Sequence, residues 1–304
     1  MIYDLIIIGA GPAGLTASIY ASRYRINHLV IAKDLGGAMA LASSVENYPG
    51  FERISGLELA QKMLAQAQNL GTQVKWEEVI DLRKKENIFE VETANGNQYQ
   101  AKALILAMGT KRRELGVPGE KEYLGKGVSY CATCDAAFFK EKLVAVIGGA
   151  NAAVMSADHL SRFASKVYLI YRKKPLRAEP LWRERVEKNE KIEIVYETNV
   201  LEILGDGKKV TGVKLDRPYQ EKEILEVDGV FVEIGGVPGT ELAQKLGVEV
   251  DEKGYIKVNS RMETNLPGVF AAGDIANVAG EFQQIVVAAG EGALAVTGVY
   301  KYLK

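Results

Sequence analysis

The chain has 304 residues, 47% apolar and 25% charged, a balance ordinary for a globular protein of about two domains. Its formal net charge of -1 gives no electrostatic case for nucleic acid or an anionic membrane surface as partner. No basic segment precedes the first apolar stretch, Leu5 to Ile8, and the glycine-rich run Leu143 to Ala157 is shorter than the roughly 20 apolar residues of a spanning helix, so the expectation is a cytoplasmic protein without a membrane segment.

Tyr3 to Ile8 reads as a strand, the segment up to about Tyr24 as a helix, and His28 to Ala32 as the next strand. The first turn of this βαβ unit is Gly9-Ala10-Gly11-Pro12-Ala13-Gly14, a G-x-G-x-x-G fingerprint. Its first glycine permits the tight turn, its second lets the backbone approach a pyrophosphate, and its third lets helix and strand pack closely. The helix N-terminus then offers free N–H groups to phosphate. Asn87 to Thr93 and Gln98 to Gln100 flank Asn95-Gly96 and predict a hairpin, and Ala103 to Met108 reads as a buried strand ending at Gly109.

The only two cysteines follow, in Cys131-Ala132-Thr133-Cys134-Asp135. A C-x-x-C pair can close a small disulfide loop and pass electrons two at a time. In a reducing compartment such a pair is catalytic or metal-binding rather than a staple. Zinc needs about four ligands. The chain adds only His28 and His159, both distant in sequence and read as structural, so redox chemistry is the reading.

A second unit comes next: strand Leu143 to Ile147, the turn Gly148-Gly149-Ala150-Asn151-Ala152-Ala153, a helix to about Phe163, and strand Lys166 to Tyr171. Two nucleotide units around a dithiol suggest a chain of electron carriers. Lys191 to Val195, Val210 to Leu215 and Gly229 to Ile234 are strand-like, and Gly235 to Gly239 reads as a linker. Gly268 to Asp274 ends a strand on an acid in a turn. The final helix, about Gln284 to Tyr302, is rich in Ala and Gly, which permits close approach of a flat ligand or of another backbone.

Together, Gly9 to Gly14, the Asn47-Tyr48-Pro49-Gly50-Phe51 loop, Cys131 to Asp135, Arg172 with Arg177-Ala178, and Ala271 to Asp274 followed by Gln284 resemble the low-molecular-weight flavin-dependent thioredoxin reductases over essentially the whole chain. The resemblance implies an α/β fold of two Rossmann-like three-layer domains, the second inserted into the first. Residues 1–112 and 240–304 would form the FAD domain, and 113–239 an NAD(P)H domain carrying the C-x-x-C. It implies FAD held by Gly9, Gly11, Pro12, Ala13, Gly14, Gly36, Gly37, Ala38, Asn47, Gly109, Asp274, Gln284 and Ile285. It implies NADPH at Gly148, Gly149, Ala150, Asn151 and Ala152, with Arg172, Lys173 and Arg177 around its 2′-phosphate, where basic groups pair with the extra charge.

The chain departs from the pattern at several positions. Ala38 replaces a common Gln, Lys33-Asp34 stands where an acid usually ends the second strand, and Met155-Ser156 replaces two acids. Ala150 puts a methyl where pyrophosphate approaches, and Ala152 replaces a phosphate-binding hydroxyl. Reduced ferredoxin and NADH are therefore alternative donors.

The implied function is electron transfer from NADPH through FAD and the Cys131–Cys134 disulfide to a thioredoxin-like protein, by a homodimer. Asp135 would move the proton, and a helix N-terminus near Cys134 would lower a thiol pKa. The other readings are a small-molecule dithiol oxidase on the same scaffold, and a non-enzymatic flavin and dithiol redox sensor.

Overall fold

The computed structural model describes residues 1–278, 280 and 282–304. The chain forms two compact units, Met1–Lys111 with Val237–Lys304, and Arg112–Gly236.

The first unit begins β1 (Ile2–Ala10), α1 (Pro12–Arg23), β2 (His28–Leu35), α2 (Gly56–Asn69), β3 (Gln73–Trp76), β4 (Val79–Lys85), β5 (Ile88–Thr93) and β6 (Gln98–Leu106). Its sheet runs β3-β2-β1-β6-β5-β4. β1 lies parallel between β2 and β6, which explains why Leu5 to Ile8 is continuously apolar: both faces of a central parallel strand are covered. β6 is one strand where two segments were expected. Lys102 interrupts the apolar pattern, but its ammonium reaches Asp4 at 2.8 Å while the backbone ladder continues from β5 to β1. The Asn95-Gly96 hairpin forms as expected, and its antiparallel partner β4 was not anticipated. β4 carries Asp81, Arg83, Lys84 and Lys85, whose charges hide a strand that faces solvent and pairs Arg83 with Glu92 and Lys85 with Glu90.

β7 (Thr110–Arg112) ends the first segment of the first unit, and the second unit then holds β8 (Val128–Ser129), α3 (Ala132–Asp135), β9 (Leu143–Ile147), α4 (Asn151–Ser161), β10 (Lys166–Tyr171), α5 (Pro180–Glu187), β11 (Ile192–Tyr196), β12 (Val200–Gly205), β13 (Val210–Tyr219), β14 (Lys222–Glu226) and β15 (Gly229–Val232), before β16 (Gly236–Pro238) leads back to the first unit. A parallel sheet, β11-β10-β9-β15-β8, lies beside an antiparallel one, β12-β13-β14. The stretch expected as a linker contains β16, which pairs with β7 in a two-stranded sheet.

The chain then returns through α6 (Glu241–Leu246), β17 (Val269–Ala271) and α7 (Ile285–Tyr302). β17 joins the first sheet in parallel with β6. The small residues of α7 let it press on α1: a Cβ added at Gly292 would overlap the Ala13 carbonyl. Among the described residues, no helix is long and apolar enough to cross a membrane.

Candidate functional site

The first fingerprint closes the gap between β1 and α1. Gly9 has φ +113°, and a Cβ there would overlap the Ala107 carbonyl, while a Cβ on Gly14 would overlap the Gly9 carbonyl. Gly11 differs, since its added Cβ would meet only the Gly36 oxygen, at 3.8 Å. It is the N-cap of α1 with Pro12 at the first helical position, and no side chain caps the helix. Open space above uncapped N–H groups suits a diphosphate. Gly36 has φ +80° and donates its N–H to the Ala10 carbonyl, which fixes the Gly36-Gly37-Ala38 loop beside the fingerprint.

Residues far apart in sequence close this region. Asn47 Nδ2 donates to Gln284 Oε1 at 3.0 Å, uniting two expected flavin contacts across 237 positions. Gln284 caps α7, so Ile285 begins the helix. Gly109 has φ +65° in the segment between β6 and β7.

Asp274 follows β17, and burial pushes its carboxyl above the usual range. Its carbonyl accepts from Gln283 Nε2 at 3.3 Å, and the N–H of Gly273 donates to Glu291 Oε2 at 2.7 Å. Neither Gln283 nor Glu291 was singled out from sequence. Glu291 carried a signal: it is the one charged residue among the apolar residues and glycines of α7 before Lys301.

In the second unit, Cys131 and Cys134 form a disulfide with Cα atoms 5.3 Å apart. The helix expected near Cys134 is the single turn α3, and its N-cap is Cys131. The reason is local: the Cys134 N–H donates to Cys131 Sγ at 3.2 Å, as a Ser or Asp side chain would accept in a conventional cap. Ser129 Oγ accepts the Cys131 N–H at 2.9 Å, which holds the strand end before the pair. Cys134 is exposed, while Cys131 and Asp135 are partly covered.

Glu120 ties the residue before Cys131 to an earlier segment of the same unit. It is 1% exposed and accepts from the Leu115 N–H and the Gly116 N–H, each at 2.7 Å, and from the Tyr130 hydroxyl at 2.6 Å. Burial, and then the Glu120 carboxylate, push the Tyr130 phenol upward. Nothing in the local sequence marks Glu120, because its partners lie in irregular backbone before it and at Tyr130 after β8.

The second fingerprint is more crowded. A Cβ on Gly149 would run into the Tyr171 ring, and Ala150 takes the N-cap of α4 with no side-chain cap. Asn151 is engaged with Glu179, donating Nδ2 to Oε1 at 3.2 Å and accepting its N–H at 2.8 Å. The Arg177 N–H donates to the Gly149 carbonyl at 2.7 Å, so one of the three expected phosphate cations is tied to the loop, and the side chains of Arg172, Lys173 and Arg177 are exposed. Ala152 is also exposed. A Cβ on Gly148 would overlap the Glu233 carbonyl. The Glu233 carboxyl accepts from Ser156 Oγ at 3.0 Å and lies 3.6 Å from Arg112 Nη1. Burial pushes it up, against the pull of Arg112 and Ser156.

His28 contacts the Ile26 carbonyl and Thr72 Oγ1, and burial lowers its pKa.

Two α/β units, one with an open glycine fingerprint and one with a bridged C-x-x-C, define a disulfide oxidoreductase. Residues 3–292 match the pyridine nucleotide-disulphide oxidoreductase family, and the chain belongs to that family. It is 46% identical to a thioredoxin reductase of Listeria innocua, over all of this chain and 94% of that protein. The fold is similar to that of Lactococcus lactis thioredoxin reductase, with 37% identity, TM-score 0.94 and 99% of each chain covered. It is also similar to a ferredoxin-flavin thioredoxin reductase from Clostridium acetobutylicum, with 35% identity, TM-score 0.52, and 98% of this chain and 97% of that one covered. The activity of this chain is that of a thioredoxin reductase, with Cys131–Cys134 in the position of the redox-active disulfide.

Proposed function

We propose that the first unit holds FAD, that NADPH supplies the electrons, and that the final acceptor is the disulfide of a thioredoxin-like protein. The observation that supports this most is the disulfide bridging α3, with one sulfur exposed and an acid adjoining it. Gly9, Gly11, Pro12, Ala13, Gly14, the loop Gly36 to Ala38, Asn47, Gly109, Asp274, Gln284 and Ile285 would hold the FAD. When bound, FAD supplies a two-electron carrier between the donor and the disulfide.

Two electrons break the Cys131–Cys134 bond and leave a dithiol after two protons are taken up. One thiolate attacks the partner's disulfide and forms a mixed disulfide, expelling one partner sulfur. The second cysteine attacks the mixed bond, releases the partner as a dithiol and restores Cys131–Cys134. The Cys134 N–H favours a thiolate on Cys131. Asp135 gives and takes the proton that each half-reaction requires.

The basic group Arg172, Lys173 and Arg177 supports NADPH, because it suits a 2′-phosphate. Ala150, with the Glu233 carboxyl held along the first turns of α4, favours a second reading in which reduced ferredoxin or NADH is the donor. The resemblance extends the reading to a cytoplasmic homodimer, which light scattering checks.

The deciding experiment follows the purified chain with NADPH, NADH and reduced ferredoxin in parallel, measuring flavin bleaching and then reduction of a thioredoxin disulfide. A colourless protein that takes up no FAD, or one that reduces no disulfide with any donor, would overturn the proposal.

A further inference from the structure

Glu291 is the one charged side chain of the first unit that is buried among the described residues, at 3% exposure. It lies in the second turn of α7, where Oε2 accepts the Gly273 N–H and Oε1 is buried without a partner. The surroundings explain why the group is so enclosed. An added Cβ on Gly273 would meet the Ala13 Cβ at 3.0 Å, and one on Gly292 would overlap the Ala13 carbonyl. Glu291 is therefore packed where the fingerprint end of α1 meets the turn that carries Asp274.

A buried carboxyl with one hydrogen bond is costly, and an apolar side chain would avoid that cost. Burial pushes this acid up to about 7, the Gly273 N–H lowers it, and the Asp274 charge raises it. α1 brings no charged side chain before Arg23 at its far end, and β17 brings none.

We propose that Glu291 is a positioning residue for the diphosphate and ribityl portion of the flavin, one carboxyl oxygen fixing the Gly273 backbone from which Asp274 projects and the other left as a hydrogen-bonding position at that junction. The inference rests on the reading that the first unit holds FAD. Ionised, Glu291 sets a second negative charge beside Asp274 and close to where a diphosphate would lie. Protonated, it keeps the Gly273 contact without that repulsion. Flavin affinity is therefore highest with the carboxyl protonated and falls as pH rises through its titration.

The test is titration of FAD into apoprotein at about pH 6 and about pH 8, on either side of the shifted carboxyl, for the wild type, E291Q and E291A. Flavin fluorescence gives Kd, and thermal unfolding of each apoprotein runs alongside. The wild-type Kd should rise about tenfold between the two pH values, the effect of one pK unit of coupling. E291Q keeps an acceptor for Gly273 and loses the charge, so it should match the wild type at low pH and show no step. E291A should bind about tenfold more weakly at low pH, the order expected for one lost hydrogen bond of about 1.4 kcal/mol.

E291A binding as tightly as the wild type at low pH, or E291Q retaining the wild-type step, would overturn the inference. If E291A does not fold, the E291Q comparison decides alone. Failure of the FAD reading is separate and shows in the wild type, which would then take up no flavin at either pH.

Discussion

The backbone N–H of Cys134 donates to Sγ of Cys131 across 3.2 Å, so one half of the disulfide is also the N-cap of the turn that carries the other half. After reduction, the same N–H points at the sulfur best placed to hold a negative charge. Alkylation of the reduced protein followed across pH should show Cys131 reacting at lower pH than Cys134. The reverse order would remove the cap as the source of thiol activation. Cys131→Ser and Cys134→Ser should each abolish reduction of a thioredoxin disulfide while leaving flavin content unchanged, as absorbance reports.

The glycines of the first fingerprint should separate by function. Gly14→Ala forces a methyl against the Gly9 carbonyl, an overpacking that costs about 1–3 kcal/mol, and it should lower the unfolding temperature of the apoprotein. Gly11→Leu meets open space, so its apoprotein should unfold at the wild-type temperature yet fail to retain FAD. Equal destabilisation by both changes, measured by thermal unfolding, would contradict the distinction.

Glu120 should matter for stability well beyond its single position. Glu120→Ala removes the acceptor shared by the Leu115 N–H, the Gly116 N–H and the Tyr130 hydroxyl, which lie at partly buried to exposed positions, so the loss should be about 1 kcal/mol for each hydrogen bond. Tyr130→Phe removes only one of the three bonds, so urea unfolding should show a loss of about 1 kcal/mol. A loss from Tyr130→Phe equal to that from Glu120→Ala would place the main contribution in the ring instead.

The contribution of Glu291 to apoprotein stability should fall as pH rises from the ordinary carboxyl range to about 7. The folded-state pKa of Glu291 is raised by burial above its unfolded value, so between the two values the folded chain binds more protons than the unfolded one. Rising pH then favours unfolding until the folded carboxyl has also ionised. Asp274 is raised in the same direction and adds to the slope. The difference in melting temperature between the wild type and Glu291→Gln across this window isolates that contribution, because His28, lowered by burial, acts in the opposite direction and Glu233, raised by burial, in the same one.

The donor site admits a direct comparison. Replacing Arg172 and Arg177 by Ala should weaken NADPH far more than NADH, by about 1.5–3 kcal/mol for each lost charge-assisted contact. Ala150→Gly should speed flavin reduction if the methyl crowds the pyrophosphate. Stopped-flow reduction that is slow with both nucleotides and improved by neither Ala150→Gly nor Ala152→Ser points away from nicotinamides and makes reduced ferredoxin the first donor to test.

The sequence by itself determined the local parts. β1 with its glycine turn, β9 with the second turn, the Asn95-Gly96 hairpin and the C-x-x-C pair are all written in consecutive residues, because strand burial, tight turns and close cysteine spacing are short-range constraints. The charged strand β4 was not legible, since its stability comes from partners on β5. The helix expected near Cys134 shrank to one turn capped by Cys131, a detail set by where a sulfur points. Tertiary structure alone decided that Asn47 meets Gln284, that Glu120 gathers two backbone amides and a phenol, and that Glu291 reaches the Gly273 turn. Each of these contacts satisfies a polar group with a partner brought close only by the packing of separate elements, and no local pattern in the chain encodes that proximity.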